Sequence, residues 1–182
     1  MDTDYIKIYN LENYILTDVR DNFLKNGYIE AFDFFCIVIW KANRAKSKIA
    51  EKFLKNDQTL EENVRDLTQR ISSANNNKEK FKVLIDYSFR LPMASAILSV
   101  LYPDQFTVYD VRVCEILNQF SNLGDTTNFE KLWNGYQEYI EAVKNYEPQN
   151  LPLREKDRFL WGKSFSDQLK RDIKSNFKKQ EK

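Results

Sequence analysis

The carboxylate of Asp110 is the first candidate for chemistry in this sequence. It stands directly before segment 111–117, whose apolar residues fall at helical spacing. An Asp at that position accepts hydrogen bonds from the first backbone N–H groups of a helix, and the helix dipole stabilises its anionic form. Asp110 is therefore either a functional anionic carboxylate or an N-cap with a structural role alone.

A second candidate is a cationic and aromatic helix face near the C-terminal end. Arg154, Arg158 and Trp161 recur at i, i+4 and i+7, so one face carries two guanidiniums and an indole. Such a face can clamp a phosphate or stack on an exposed base. It can equally form ion pairs with Glu155 and Asp157, and the sequence leaves both interpretations open.

Lys41 and Arg44 belong to a third group, a basic run that follows an apolar segment. Lys41 comes directly after Trp40 and is either an amine on a largely buried helix or the start of that helix's exposed half. Trp40 is either a core residue or a base-stacking platform, and core packing is the commoner role of an aromatic ring.

Composition excludes several classes of site. The chain has no histidine, so a His-based catalytic triad, a His-ligated metal and a His acid–base are excluded. Cys36 and Cys114, the two cysteines, cannot form a zinc site alone, and both lie in apolar runs. We expect buried, reduced thiols of a cytoplasmic protein, with no metal and no cofactor.

The elements that position these residues are predicted to be helices. Hydrophobic residues make up 42% of the 182 residues, while Gly and Pro number four each, too few for a turn-rich β fold. We predict an all-α protein with a single domain over 1–182. Segment 34–40 also permits a buried strand, but no similar strand exists to pair with it. No apolar run reaches the length of a membrane span, and the N-terminal residues lack a signal-peptide pattern.

Capping signals give several helix ends. Gly27 predicts a C-cap, and Thr59 with Glu62 predicts a capping box. Asn77 is predicted to cap the helix over 78–89, and Pro92 to lie in the first turn of the next helix, 92–102. Further predictions are an extended link at 105–109, a capping box of Thr127 with Glu130, and two last helices over 153–164 and 166–178.

Charge is distributed unevenly along the chain. The 28 basic and 27 acidic residues give a net charge of +1, but residues 38–55 carry +5 and residues 163–182 carry +4. Residues 1–35 carry −4. The two basic segments are either ordinary solvated helix faces or parts of a surface that binds nucleic acid.

The stretch over residues 91–117, LPMASAILSVLYPDQFTVYDVRVCEIL, resembles the helix-hairpin-helix DNA glycosylases, the HhH-GPD superfamily. In that family a hairpin is followed by an Ala-rich helix, a Pro with an extended link, and a catalytic Asp with Val three residues on. Ala94-Ser95-Ala96, Asp110 and Val113 match this pattern. Looser matches at Trp40–Arg44 and Leu153–Trp161 resemble an uncharacterised bacterial branch related to 8-oxoguanine glycosylases.

The resemblance implies a hairpin over 78–102, a catalytic segment over 105–117 and double-stranded DNA as the partner. Asp110 would stabilise the positive charge that develops on the sugar during N-glycosidic cleavage, or orient a water. Besides Asp110, the candidate site residues are expected to contact nucleic acid: Arg90, Arg112, Lys41, Arg44, Arg154, Arg158 and Trp161.

The sequence departs from the family in two ways. The family's hairpin glycines expose N–H groups to a DNA phosphate, whereas the turn here is Phe89-Arg90-Leu91-Pro92-Met93. The lysine nucleophile of bifunctional members has no counterpart near Pro92-Met93, which argues against lyase chemistry. Three hypotheses follow: a monofunctional glycosylase in DNA repair, a non-catalytic binder of nucleic acid or nucleotide, and a protein-interaction module.

Overall fold

A computed structural model describes residues 5–54 and 57–176, with the side chain of Asn176 left aside. Within these ranges the backbone forms helices and turns without a strand, so the all-α prediction is confirmed. The chain gathers into two compact units, Met1–Phe106 and Thr107–Lys182. Each unit is described by itself, and the single domain over 1–182 stays a prediction.

Eight α-helices and two short irregular turns make up the described part of the first unit. The helices are α1 (Tyr5–Tyr9), α2 (Leu11–Tyr14), α3 (Arg20–Asn26), α4 (Ala31–Ala42), α5 (Lys46–Phe53), α6 (Leu60–Ser73), α7 (Asn77–Asp86) and α8 (Leu91–Leu101). A π-helical turn, Ile15–Val19, joins α2 to α3, and a 3₁₀ turn, Asn43–Ala45, joins α4 to α5.

Helix α8 is the centre of the first unit. Leu91 and every residue over 93–101 are buried, and α3, α4 and α7 pack against this helix. Segment 34–40 forms most of α4, so the strand alternative is wrong. Small residues in α8 bring the surrounding helices close, while the large apolar side chains of α4 and α7 fill the space between them.

Helix ends follow the predicted signals closely in this unit. Gly27 has φ +74° and closes α3, and Thr59 forms a capping box with Glu62. Asn76, rather than the predicted Asn77, caps α7, because its side chain accepts a hydrogen bond from the Glu79 N–H. Neighbouring asparagines offer the same chemistry, and the structure selects the first.

In the turn between α7 and α8, a serine occupies the left-handed position where glycine is most common. Ser88 has φ +63°, its N–H donates to the Ile85 carbonyl at 2.8 Å, and the Phe89 N–H donates to the Leu84 carbonyl at 3.0 Å. These two bonds form a Schellman motif, which satisfies the last carbonyls of α7. Arg90, which follows Phe89, is the N-cap residue of α8 and has an extended backbone.

The second unit contains three α-helices in its described part. They are α9 (Val111–Leu117), α10 (Phe129–Lys144) and α11 (Leu153–Arg171), with a 3₁₀ turn at Leu123–Asp125 and a π-helical turn at Asp172–Asn176. Both α9 and α10 pack against α11. The predicted separation of 153–164 from 166–178 is wrong, because segment 164–166 contains no helix breaker and α11 runs through it.

Asn128, rather than Thr127, caps α10. The Asn128 carboxamide oxygen accepts a hydrogen bond from the Lys131 N–H at 3.0 Å, so the predicted capping box of Thr127 with Glu130 is wrong. Asn is the slightly stronger N-cap residue of this adjacent pair.

Candidate functional site

Asp110 caps α9, as predicted. Its Oδ1 accepts a hydrogen bond from the Arg112 N–H at 3.0 Å, and its side chain is half-buried. The residue before it, Tyr109, is buried, and Val111 after it is exposed. The carboxylate therefore sits where the chain emerges from the core, held by the first turn of the helix it caps.

Two buried tyrosines of α10 fix the link that leads to Asp110. The Tyr136 hydroxyl donates to the Thr107 carbonyl at 2.6 Å, and the Tyr139 hydroxyl donates to the Val108 carbonyl at 2.8 Å. Burial raises the pKa of both phenols well above its ordinary value, and the nearby Asp157 charge acts in the same direction. Both hydroxyls therefore stay protonated donors at neutral pH.

Tyr109 fills the space on the inner side of the link. Its hydroxyl donates to the Phe120 carbonyl at 2.6 Å and accepts from the Gly124 N–H at 3.3 Å. Burial raises the pKa of Tyr109 to about 12, and the neighbouring Cys114 adds to the shift. This ring is thus a packed structural element rather than the wall of an open pocket.

An open depression of about 350 Å³ lies along the outer side of α9 and the turn after it. It is lined by Val111, Cys114, Glu115, Asn118, Gln119 and Ser121. Asp110 immediately precedes the first of these residues but does not line the depression itself. Glu115, rather than Asp110, is the carboxylate among these lining residues.

Arg112 and Trp161, two of the predicted site residues, lie together on the surface of this unit. The Arg112 guanidinium carbon is 5.4 Å from the centre of the Trp161 ring and 5.8 Å from that of Phe165. Trp161 and Phe165 stack with their ring planes 8° apart. Gln168 accepts a hydrogen bond from Arg112 Nη1 at 2.6 Å, which fixes the guanidinium beside the rings.

The other two members of the predicted face have different surroundings. Arg154 has a largely buried side chain and forms an ion pair with Asp157, which is also buried. Arg158 is half-exposed and forms an ion pair with Glu155 at 3.0 Å. Arg154 therefore belongs to the interior of the second unit, whereas Arg158 and Trp161 are on its surface.

In the first unit, α5 packs against the turn between α7 and α8. Lys52 Nζ donates to the Ser88 carbonyl at 3.0 Å, and the Phe53 ring lies 6.2 Å from that of Phe89 and 5.9 Å from that of Tyr87. Arg90, a predicted contact residue, is exposed in the same turn. The contact joins the basic segment of α5 to the hairpin turn.

The backbone of this turn offers few N–H groups to a ligand. Pro92 has none, and the N–H groups of Met93 and Ala94 both donate to the Arg90 carbonyl at 3.0 Å. An anion at this turn would therefore be bound mainly by cationic side chains.

Lys41 and Arg44 also belong to the first unit. Lys41 is half-buried in the last turn of α4, beside the half-buried Trp40, and Arg44 is exposed in the 3₁₀ turn before α5. Lys52, which follows Lys48 by one turn of α5, is the residue that sequence reasoning missed here. Its place within the basic segment was visible, but its contact with Ser88 was not.

The remaining sequence expectations concern thiols, metals and membranes. Cys36 and Cys114 are both free and buried, and burial raises the pKa of Cys36 to about 11 and that of Cys114 in the same direction. Residues 5–54 and 57–176 contain no group of three or more acidic or cysteine side chains arranged to hold a metal ion. No helix in these ranges combines the length and hydropathy that a bilayer crossing needs.

The chain matches no family model, and neither the curated proteins nor the solved structures contain a significant match to it.

Proposed function

We propose that this protein binds double-stranded DNA through the turn between α7 and α8, in the manner that its resemblance to the helix-hairpin-helix glycosylases suggests. The observation that supports this most directly is the hydrogen bond from Lys52 to the Ser88 carbonyl. It brings the basic helix α5 to the turn that carries Arg90. Cations beside a hairpin turn supply the phosphate contacts that dominate affinity for DNA.

The lack of glycine in this turn supports binding through cationic side chains rather than through backbone N–H groups. In this chain Ser88 occupies the left-handed position, and Pro92 removes one N–H from the start of α8. Lys52 and Arg90 compensate by presenting positive charge at the same turn. Lys48 lies four residues before Lys52, on the same side of α5, and extends the cationic surface along the helix.

Fluorescence anisotropy of a labelled duplex over a salt series tests this proposal. We expect Arg90→Ala and Lys52→Ala each to weaken binding and to reduce the slope of log K against log salt by about 0.9, the value for one lost phosphate contact. Lys52→Arg should restore the slope. Lys131→Ala, which removes an exposed cation from α10 in the other unit, is the matched control and should change neither quantity.

The proposal fails if wild-type protein does not bind the duplex, or if Lys131→Ala reduces the slope as much as Arg90→Ala does. It also fails if Lys52→Ala weakens binding with an unchanged slope, because the lysine would then act only by supporting the turn.

Release of a base with Asp110 as the acting carboxylate is a second candidate function. The fixed link from Thr107 to Asp110 and the half-buried carboxylate favour it, since a carboxylate that stabilises a developing sugar cation must be held in place. The absence of Asp110 from the lining of the nearby depression argues for the non-catalytic alternative.

Two substitutions of Asp110 separate catalysis from capping. Asn caps a helix as well as Asp, so Asp110→Asn should keep the stability of the second unit, whereas Asp110→Ala should lower it by about 1 kcal/mol. Duplexes with 8-oxoguanine, with an abasic-site analogue and without a lesion serve as probes. Base release that Asp110→Asn abolishes while binding persists supports the enzyme. No release by wild type leaves duplex binding without catalysis.

A further inference from the structure

The exposed face of α11 carries aromatic side chains that the duplex proposal does not use. Trp161 and Phe165 lie one turn apart and are 43% and 45% exposed, and Leu169 continues the same face. Large rings are usually buried in a chain of this size, so two stacked and exposed rings on one helix face require an explanation.

Positive charge lies beside these rings. The Arg112 guanidinium lies against both rings and is fixed by Gln168. The described residues 163–176 carry four basic and two acidic side chains, a net charge of +2. An apolar protein partner gains little from such charge, whereas a polyanion gains affinity from every cation beside it.

We propose that Trp161 and Phe165 form a stacking platform for unpaired bases, and that the second unit thereby binds single-stranded nucleic acid. Flat aromatic faces stack on any base, and adjacent cations follow the phosphate backbone, which is the combination that binds single strands without sequence preference. Arg112 lies against both rings and adds charge at the platform. The duplex-binding turn lies in the other unit, so the two activities can fail separately.

The same helix offers a matched control. Phe159 is 42% exposed, close to the value for Phe165, but lies two residues before Trp161 and therefore on a different side of α11. Phe159→Ala and Phe165→Ala remove the same ring from equally exposed positions of one helix. Only the second removes a member of the platform.

Anisotropy with a labelled oligothymidylate of about 15 nucleotides measures the affinity that is lost when a ring that stacks on a base is removed. We expect Phe165→Ala and Trp161→Ala each to weaken binding by about tenfold. Phe159→Ala should stay within about twofold of wild type, and Trp161→Phe should retain most of the affinity because it keeps a ring. Binding should also quench the fluorescence of wild type more than that of Trp161→Phe.

Three results would overturn the platform. One is an absence of binding to the single strand by wild-type protein at physiological salt, and another is an equal loss for Phe159→Ala and Phe165→Ala. The third is a change in sedimentation for Phe165→Ala with unchanged affinity, which would assign the face to a second copy of the chain. Variants at Arg90 and Lys52 should leave single-strand binding unaltered, so a failed duplex proposal is recognised independently.

Discussion

Removal of one buried hydroxyl tests whether the link before Asp110 is held from α10. In wild-type protein the Tyr139 hydroxyl donates to the Val108 carbonyl at 2.8 Å, and Val108 is itself buried. Tyr139→Phe keeps the ring and deletes the hydroxyl, which also contacts the Asp110 backbone. The carbonyl then stays buried without its partner, because α10 leaves little room for water to replace the hydroxyl.

The size of the effect should depend on pH. Near pH 7, loss of the donor should lower the free energy of unfolding by about 1–3 kcal/mol. Burial raises the pKa of Tyr139 in the folded state above its ordinary value of 10.0. Its contribution to stability is therefore complete below pH 10 and declines above it, as the unfolded chain ionises first. At pH 11 part of this contribution is lost in wild type, whereas the variant has none to lose.

Urea unfolding at pH 7 and at pH 11 measures the difference in stability. Tryptophan fluorescence follows the unfolding, and Trp133 and Trp161 of the second unit contribute to it beside Trp40 of the first. The difference between wild type and Tyr139→Phe should therefore be smaller at pH 11 than at pH 7. Tyr9→Phe is the control, because Tyr9 is 92% exposed and should show no difference at either pH. A difference that is negligible at pH 7, or that grows at pH 11, would refute the role of this hydroxyl.

Other predictions concern backbone strain and thiol reactivity. Ser88→Gly should raise the free energy of unfolding by about 0.5–1 kcal/mol, because Ser88 has φ +63° and glycine adopts that conformation without strain. Asn118→Gly, at φ 54°, should raise the free energy of unfolding by less, since Asn tolerates this region better than Ser. Urea unfolding compares the two variants with wild type. A loss of stability in Ser88→Gly would contradict the account of the turn. Because Cys36 and Cys114 are buried and their pKa is raised, they should react with iodoacetamide at pH 8 at least about tenfold more slowly than in unfolded protein. Mass spectrometry measures the two rates. Equal rates would show that the thiols are accessible.

The sequence predicted those features of the fold that depend on neighbouring residues. The all-α class, the C-cap at Gly27, the capping box at Thr59 and the cap at Asp110 each follow from local hydrogen bonding and helical spacing, and all four are present. The errors are also local. Asn76 and Asn128 stand beside the residues predicted to cap α7 and α10, and adjacent candidates of similar chemistry differ by a few tenths of a kcal/mol at most.

The candidate site depends on contacts that a sequence does not display. Arg112 and Trp161 were each predicted to contact nucleic acid, but nothing in their spacing indicated that they would touch, because the packing of α9 on α11 joins them. Lys52 reaches Ser88 across 36 positions of chain. The left-handed conformation of Ser88 could not be predicted, because this position of a Schellman motif is usually glycine and no local signal marked it.

Local charge, rather than the net charge of +1, would govern the polyanion binding that we propose. At about 0.1 M salt, charges separated by more than about 10 Å are largely screened from each other. A phosphate at the turn between α7 and α8 therefore responds mainly to the charged side chains nearest to it, Arg90 and Lys52 among them, rather than to the net charge of the whole chain. Dilution of the salt to about 0.01 M extends this range to about 30 Å, so distant acidic groups begin to oppose binding. A net charge near zero on the whole chain is thus compatible with the two cationic surfaces that we propose, one in each unit, which would bind at physiological salt.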